Sequence, residues 1–116
     1  MEKLKGKNII ITGASGGIGA EIARLCAERG ANLVLLARSL DKLESLKSEL
    51  QERYQTNVHV YQLDVSEPEK VKEVFLRIQE VIKEVDILVN NAGFGIFREA
   101  HEVTIDEITG MFNVNV

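Results

Sequence analysis

The chain has 116 residues, the size of one ordinary domain, and its 45 % hydrophobic and 28 % charged content is that of a folding chain rather than a disordered one. Fourteen Lys and Arg against eighteen Asp and Glu leave a net charge of −4, without the basic excess by which proteins hold nucleic-acid phosphates. One Cys and no Trp exclude a disulfide framework and a Cys-rich zinc site, and a polar Met1–Lys7 with no apolar stretch of ~18 residues predicts a cytoplasmic protein without membrane segments.

Apolar runs alternate with amphipathic segments along the chain. Asn8–Thr12 (NIIIT) is an unbroken β-branched run, as expected of a strand buried on both faces. The segment after it is read as a helix with Ile18, Ile22, Leu25 and Cys26 on its buried face and Gly30 at its C-terminal cap. Asn32–Ala37 (NLVLLA) is the second strand, followed by a helix carrying Leu43, Leu46 and Leu50. Val58–Leu63 (VHVYQL) is the third. Ser66 and Glu69 are spaced as a capping box for the next helix, with Pro68 in its first turn and Val71, Val74, Phe75, Ile78 and Ile82 as its apolar stripe. Asp86–Asn90 (DILVN) is the fourth strand, and Thr104 with Glu107 predicts a helix that runs to Val116. The strands recur about every two dozen residues, the length of a βα unit, so the expected architecture is a Rossmann-type doubly wound parallel sheet of about four strands in a single α/β domain. In the order 3-2-1-4, Ile87–Val89 becomes an apolar edge that invites self-association.

Between the first strand and its helix stands Thr12-Gly13-Ala14-Ser15-Gly16-Gly17-Ile18-Gly19. Gly13 can adopt a backbone conformation closed to other residues, Gly17 lets a pyrophosphate reach the main chain, and Gly19 lets the helix pack closely on the strand. The helix N-terminus offers unpaired N–H groups and a partial positive charge to an anion. The spacing G-x-x-x-G-x-G is neither G-x-G-x-x-G nor a Walker A loop, which needs a Lys after its last glycine. The competing reading is a tight turn with no ligand. Four glycines in seven residues would then weaken the turn without gain.

This turn, Asp64 after the third strand and Asn90-Asn91-Ala92-Gly93 after the fourth resemble the short-chain dehydrogenase/reductase family over essentially the whole chain, matching about the first half of a typical member. The resemblance implies a dinucleotide-binding domain with Gly13, Ser15, Gly16, Gly17, Ile18 and Gly19 around the cofactor. It also implies that the Asp64 side chain and the Val65 main chain meet the adenine. Asn90 would brace the sheet, and Asn91, Ala92 and Gly93 would belong to the cofactor site. The competing reading of Asp64 is a loop or capping carboxylate, and that of the two Asn is ordinary turn residues.

The residue ending the second strand reads the adenosine ribose, an acid accepting from a free 2′-hydroxyl and an Arg receiving a 2′-phosphate. Here the strand ends Ala37-Arg38-Ser39. Arg38 can form a planar charge-assisted pair with a phosphate and Ser39 can add a hydroxyl, so NADP(H) is preferred over NAD(H). Family members that prefer NADP often carry a further cation in the glycine turn, where this chain has Ser15 and Gly16. The alternative for Arg38 is a solvated surface charge.

The family moves a hydride between nicotinamide and a carbonyl or alcohol carbon, using a Tyr whose phenol is activated by a Lys four residues on, together with a Ser and a helix Asn. By resemblance Asn115 is that Asn. The only tyrosines, Tyr54 and Tyr61, are followed four residues later by Val58 and Val65, so the Tyr-x-x-x-Lys pair is missing. The 116 residues are therefore expected to be an inactive nucleotide-binding part of a longer, homo-oligomeric reductase acting on a small carbonyl or alcohol substrate. The alternative is a non-catalytic NADP(H)-binding or sensing module. Cys26 is expected to be an inert core thiol, and His59 and His101 have no metal-spaced partner. Gly93-Phe94-Gly95 is read as a loop beside the nicotinamide, with Phe97 at a substrate entrance or as a cover for the core.

Overall fold

The computed structural model describes residues 4–91 and 96–99, and its elements follow the predicted alternation. They are β1 (Asn8–Thr12), α1 (Gly17–Glu28), β2 (Asn32–Ala37), α2 (Leu40–Tyr54), β3 (Val58–Gln62), α3 (Pro68–Val81), β4 (Ile87–Asn90) and β5 (Ile96–Glu99). The sheet order is β3-β2-β1-β4-β5. The first four strands are parallel, with Asn8 opposite Asn32, Leu33 opposite Val58 and Ile9 opposite Ile87. This is the expected Rossmann-type arrangement.

Side chains alternate across each strand, which splits the core into two layers. Ile9, Ile11, Leu33, Leu35 and Val89 face α1 and α2, whereas Ile10, Val34, Leu36 and Leu88 face Val71, Val74, Phe75 and Ile78 of α3. Continuous apolar runs are what a sheet covered on both faces requires. Leu43, Leu46 and Leu50 of α2 are buried as expected.

Three expectations are corrected. The strand β4 is not an edge, because β5 pairs with it antiparallel, Asn90 opposite Ile96 and Ile87 opposite Glu99. The sequence reading ended the sheet at the fourth strand and placed no strand at Ile96–Glu99. The argument for self-association through a bare β4 therefore falls away. On α1 the buried residues are Gly19, Ala20, Ala23, Cys26 and Ala27, while Ile18 and Leu25 are exposed and Ile22 is half-buried. Small side chains let this helix lie close to the sheet, and a search for large apolar residues picks the neighbouring stripe. Finally, Ser66 does not cap α3: Glu67 is the N-cap, Pro68 opens the helix, and no side chain caps it.

The Gly30 prediction holds. Gly30 has φ +84°, its N–H donates to the Ala27 carbonyl at 3.0 Å, and the Ala31 N–H donates to the Cys26 carbonyl at 3.1 Å. That bond pair is a Schellman ending, and it turns the chain into β2. The predicted helix from Thr104, the loop Gly93-Phe94-Gly95 and His101 lie outside the described residues.

Candidate functional site

The C-terminal ends of β1, β2, β3 and β4 bring together Gly13, Arg38, Asp64 and Asn91. From β1 the chain crosses to β2 on one side, and β4 flanks it on the other, so Gly13 stands where the sheet changes winding direction. Ligands of open α/β sheets bind at that crevice.

The glycine turn is held from below and from both sides. The Ala14 N–H donates to the Leu36 carbonyl at 3.1 Å, and the Asn91 amide donates to the Gly13 carbonyl at 3.4 Å. Beneath it, the buried Thr12 hydroxyl lies 3.1 Å from Asn90 Oδ1 and 3.4 Å from the Val89 carbonyl. Gly13 and Gly17 have φ of +63° and +55°, the left-handed region that glycine enters without strain. A β-carbon on Gly19 would approach Asn91 Nδ2 to 2.9 Å and the Gly13 carbonyl carbon to 2.8 Å. Close packing at Gly19 is thus against the turn itself, more than against the strand.

Above the turn the surface is open. Gly16, Gly17 and Ile18 are exposed, and a β-carbon at Gly16 or Gly17 would meet nothing within 4 Å. Gly16 caps α1 in an extended conformation and contributes no side-chain bond, and the first turn of α1 holds no acid. The other two described helices differ. Ser39 Oγ accepts from the Lys42 N–H in α2, whose first turn holds Asp41, and α3 starts with Pro68 and Glu69. Only α1, of these three, presents uncapped N–H groups without a nearby carboxylate, which suits a phosphate group. A cleft of about 740 Å³ runs from Ser15 and Gly16 past Ile18 along this helix.

A second cleft, about 520 Å³, lies beside the ends of β2 and β3 and is lined by Arg38, Gln62, Asp64, Lys70 and Arg77 among others. Arg38 is exposed, and the adjoining Ser39 is half-buried. Asp64 Oδ1 accepts from both the hydroxyl and the N–H of Ser66, at 2.7 and 2.9 Å. These bonds hold its carboxyl below the ordinary range, first through the hydroxyl, then through the N–H, with a smaller contribution from Arg38. The capping-box reading of Ser66 is thereby replaced by a turn closed on Asp64. Val65 is half-buried against the α3 layer.

Among the expected site residues, Ala92, Gly93 and Asn115 lie outside the described set, and of Phe97 only its pairing with Val89 in β5 is described. Tyr54 and Tyr61 carry Arg53 and Arg77 over their rings at 5.6 and 5.3 Å. Cys26 is buried, and burial pushes its thiol pKa up. No group of three metal-ligating side chains occurs among the described residues, and no helix there is long and apolar enough to cross a membrane. Two roles escaped the sequence reading: that of Thr12, which opens the glycine motif but was given no bonding partner, and that of Gln62, a polar residue ending β3.

The short chain dehydrogenase family profile matches residues 7–116. The chain belongs to that family. It is 37 % identical to an uncharacterized oxidoreductase, YxnA, of Bacillus subtilis over 115 residues, 99 % of this chain and 32 % of that protein. Among solved structures, an alcohol dehydrogenase from Thermococcus sibiricus complexed with 5-hydroxy-NADP is 41 % identical with a TM-score of 0.75, over 92 % of this chain and 46 % of that one. L-sorbose reductase from Gluconobacter frateurii, complexed with NADPH and L-sorbose, is 35 % identical with a TM-score of 0.76, over 96 % and 44 %. This short chain dehydrogenase sequence spans about a third to a half of the length of the curated relatives it matches. The family binds a nicotinamide dinucleotide, and the open, uncapped start of α1 fits the pyrophosphate of such a group.

Proposed function

We propose that this chain is the NADP(H)-binding part of an oxidoreductase that transfers a hydride between nicotinamide and a carbonyl or alcohol carbon of a small substrate. The observation that carries the reading is the bare N-terminus of α1 at the winding reversal, with the Arg38 guanidinium at the end of the adjacent strand. Two of the similar structures hold NADPH or an NADP derivative, which supports the choice of nucleotide.

The dinucleotide supplies the hydride. The residues described here bind and orient it. The N–H groups of Gly17, Ile18 and Gly19 receive the pyrophosphate, and Ser15 and Gly16 leave its approach open. Arg38 forms a charge-assisted pair with the 2′-phosphate while Ser39, whose Oγ accepts from Lys42, still has its hydroxyl proton to donate. Asp64, whose carboxyl the Ser66 bonds hold below its ordinary range, accepts from the adenine amino group beside the Val65 main chain. Asn91, Ala92 and Gly93 complete the adenosine side. Asn115 belongs to the catalytic group by resemblance. Its Tyr-x-x-x-Lys partners are not within residues 1–116, so these residues alone are inactive and the complete protein is the enzyme.

Calorimetric titration with NADPH and NADH, on the protein and on Arg38→Ala, tests this reading. NADPH should bind more tightly, and Arg38→Ala should weaken it by about 10- to 100-fold, the worth of a hydrogen bond to a charged group. Tighter NADH binding, or an Arg38→Ala variant that binds NADPH unchanged, would overturn it.

A further inference from the structure

The parallel ladder between β2 and β3 ends at Ala37 and Gln62, and its last backbone bond runs from the Leu63 N–H to the Ala37 carbonyl at 2.8 Å. The next carbonyl along the chain is that of Arg38. It lies past the ladder, because the chain turns there into α2 with Ser39 as N-cap. Its bond comes from a side chain instead: Gln62 Nε2 donates to the Arg38 carbonyl at 2.9 Å. Gln62, Arg38 and Asp64 line one cleft.

This arrangement restrains the peptide that follows the Arg38 Cα at two points. Gln62 holds the Arg38 carbonyl, and the Ser39–Lys42 cap holds the residue that follows. The orientation of that peptide, together with the strand before it, sets the direction in which the Arg38 side chain leaves the backbone. A guanidinium pairs with a phosphate through a planar fork, so a tilt of the backbone costs alignment as well as reach. A strand-end Gln with no such duty would leave the Arg38 carbonyl to water and the strand end free to turn.

We infer that Gln62 is a positioning residue for nucleotide choice, acting through Arg38 on the 2′-phosphate. The inference rests on the NADP(H) reading above. It separates the two nucleotides: NADH has no 2′-phosphate and does not use the Arg38 fork, so Gln62 acts on NADPH affinity alone.

The test is titration of the protein and of Gln62→Met, which keeps the length of the side chain but has no donor, with both nucleotides. Gln62→Met should weaken NADPH by about threefold to tenfold and leave NADH within about twofold, the scale of one lost hydrogen bond. Gln62→Ser, too short to reach, should give the same pattern. In an Arg38→Ala background either change should leave NADPH affinity within about twofold, since coupled residues lose their effects together. Equal weakening of both nucleotides means a general structural role and overturns the inference, as does an NADPH preference that survives both variants. A starting protein with no preference for NADPH overturns the NADP(H) reading itself, and is recognised before any Gln62 variant is examined.

Discussion

Gly19 and Gly13 are in contact across the turn: a β-carbon added to Gly19 would come within 2.8 Å of the Gly13 carbonyl carbon. The carbonyl that Gly19 leaves room for is also the one that accepts from Asn91. One absent side chain therefore lets α1, β1 and the end of β4 meet at a single peptide, and the open face of the turn depends on that meeting.

Substitutions at the two helix glycines should separate space from backbone strain. Gly19→Ala should cost about 1–3 kcal/mol, since the overlapping atoms are backbone, and Gly19→Asn should be no better. Gly17 has open space but φ +55°, so Gly17→Ala should cost about 1–2 kcal/mol and Gly17→Asn less, because Asn enters the left-handed region more readily. Urea unfolding of the four variants checks the ranking.

The Thr12–Asn90 pair is expected to behave as a unit. Asn90 is 3 % exposed, and its Nδ2 already lacks a partner among the described residues. Thr12→Val removes the hydroxyl that meets Oδ1, leaving a second buried polar atom stranded, and should destabilise by about 1–3 kcal/mol. Thr12→Ser should retain most of the stability. In the double variant Thr12→Val/Asn90→Leu part of the loss should return, which a double-mutant cycle measures.

Asp64 predicts a pH response of definite sign. Its folded pKa lies below the ordinary 3.8, so its contribution is present above that value and is lost as pH falls through the lower, folded pKa. Ser66→Ala removes the largest cause of the shift and should move the Asp64 titration up towards 3.8. The carboxyl carbon resonance followed against pH reports this directly, and an unmoved midpoint would assign the shift elsewhere.

Much of this fold can be read from the sequence because β1 and β2 carry their burial as unbroken runs, NIIIT and NLVLLA, which only a sheet covered on both faces accommodates. The left-handed backbone at Gly13 was equally legible, whereas the left-handed φ of Gly17 and the contact of Gly19 with the Gly13 carbonyl, rather than with the strand, were not. The buried face of α1 was not, because Ala20, Ala23 and Ala27 give a weak apolar signal beside Ile18 and Leu25. Strand β5 was missed for another reason: it pairs antiparallel in a chain whose other described strand pairs are parallel and follow the βα repeat. Gln62 could not be found by spacing, because its role is to meet a carbonyl stranded by the end of a ladder.

The most direct test of the central claim is an amide chemical-shift titration of the isotope-labelled protein with NADPH and with NADH. The account predicts the largest shifts at Gly17, Ile18 and Gly19 with both nucleotides, and a shift at Arg38 with NADPH that NADH does not reproduce. Shifts confined to other parts of the sheet, with the three turn amides unmoved at saturation, would contradict it.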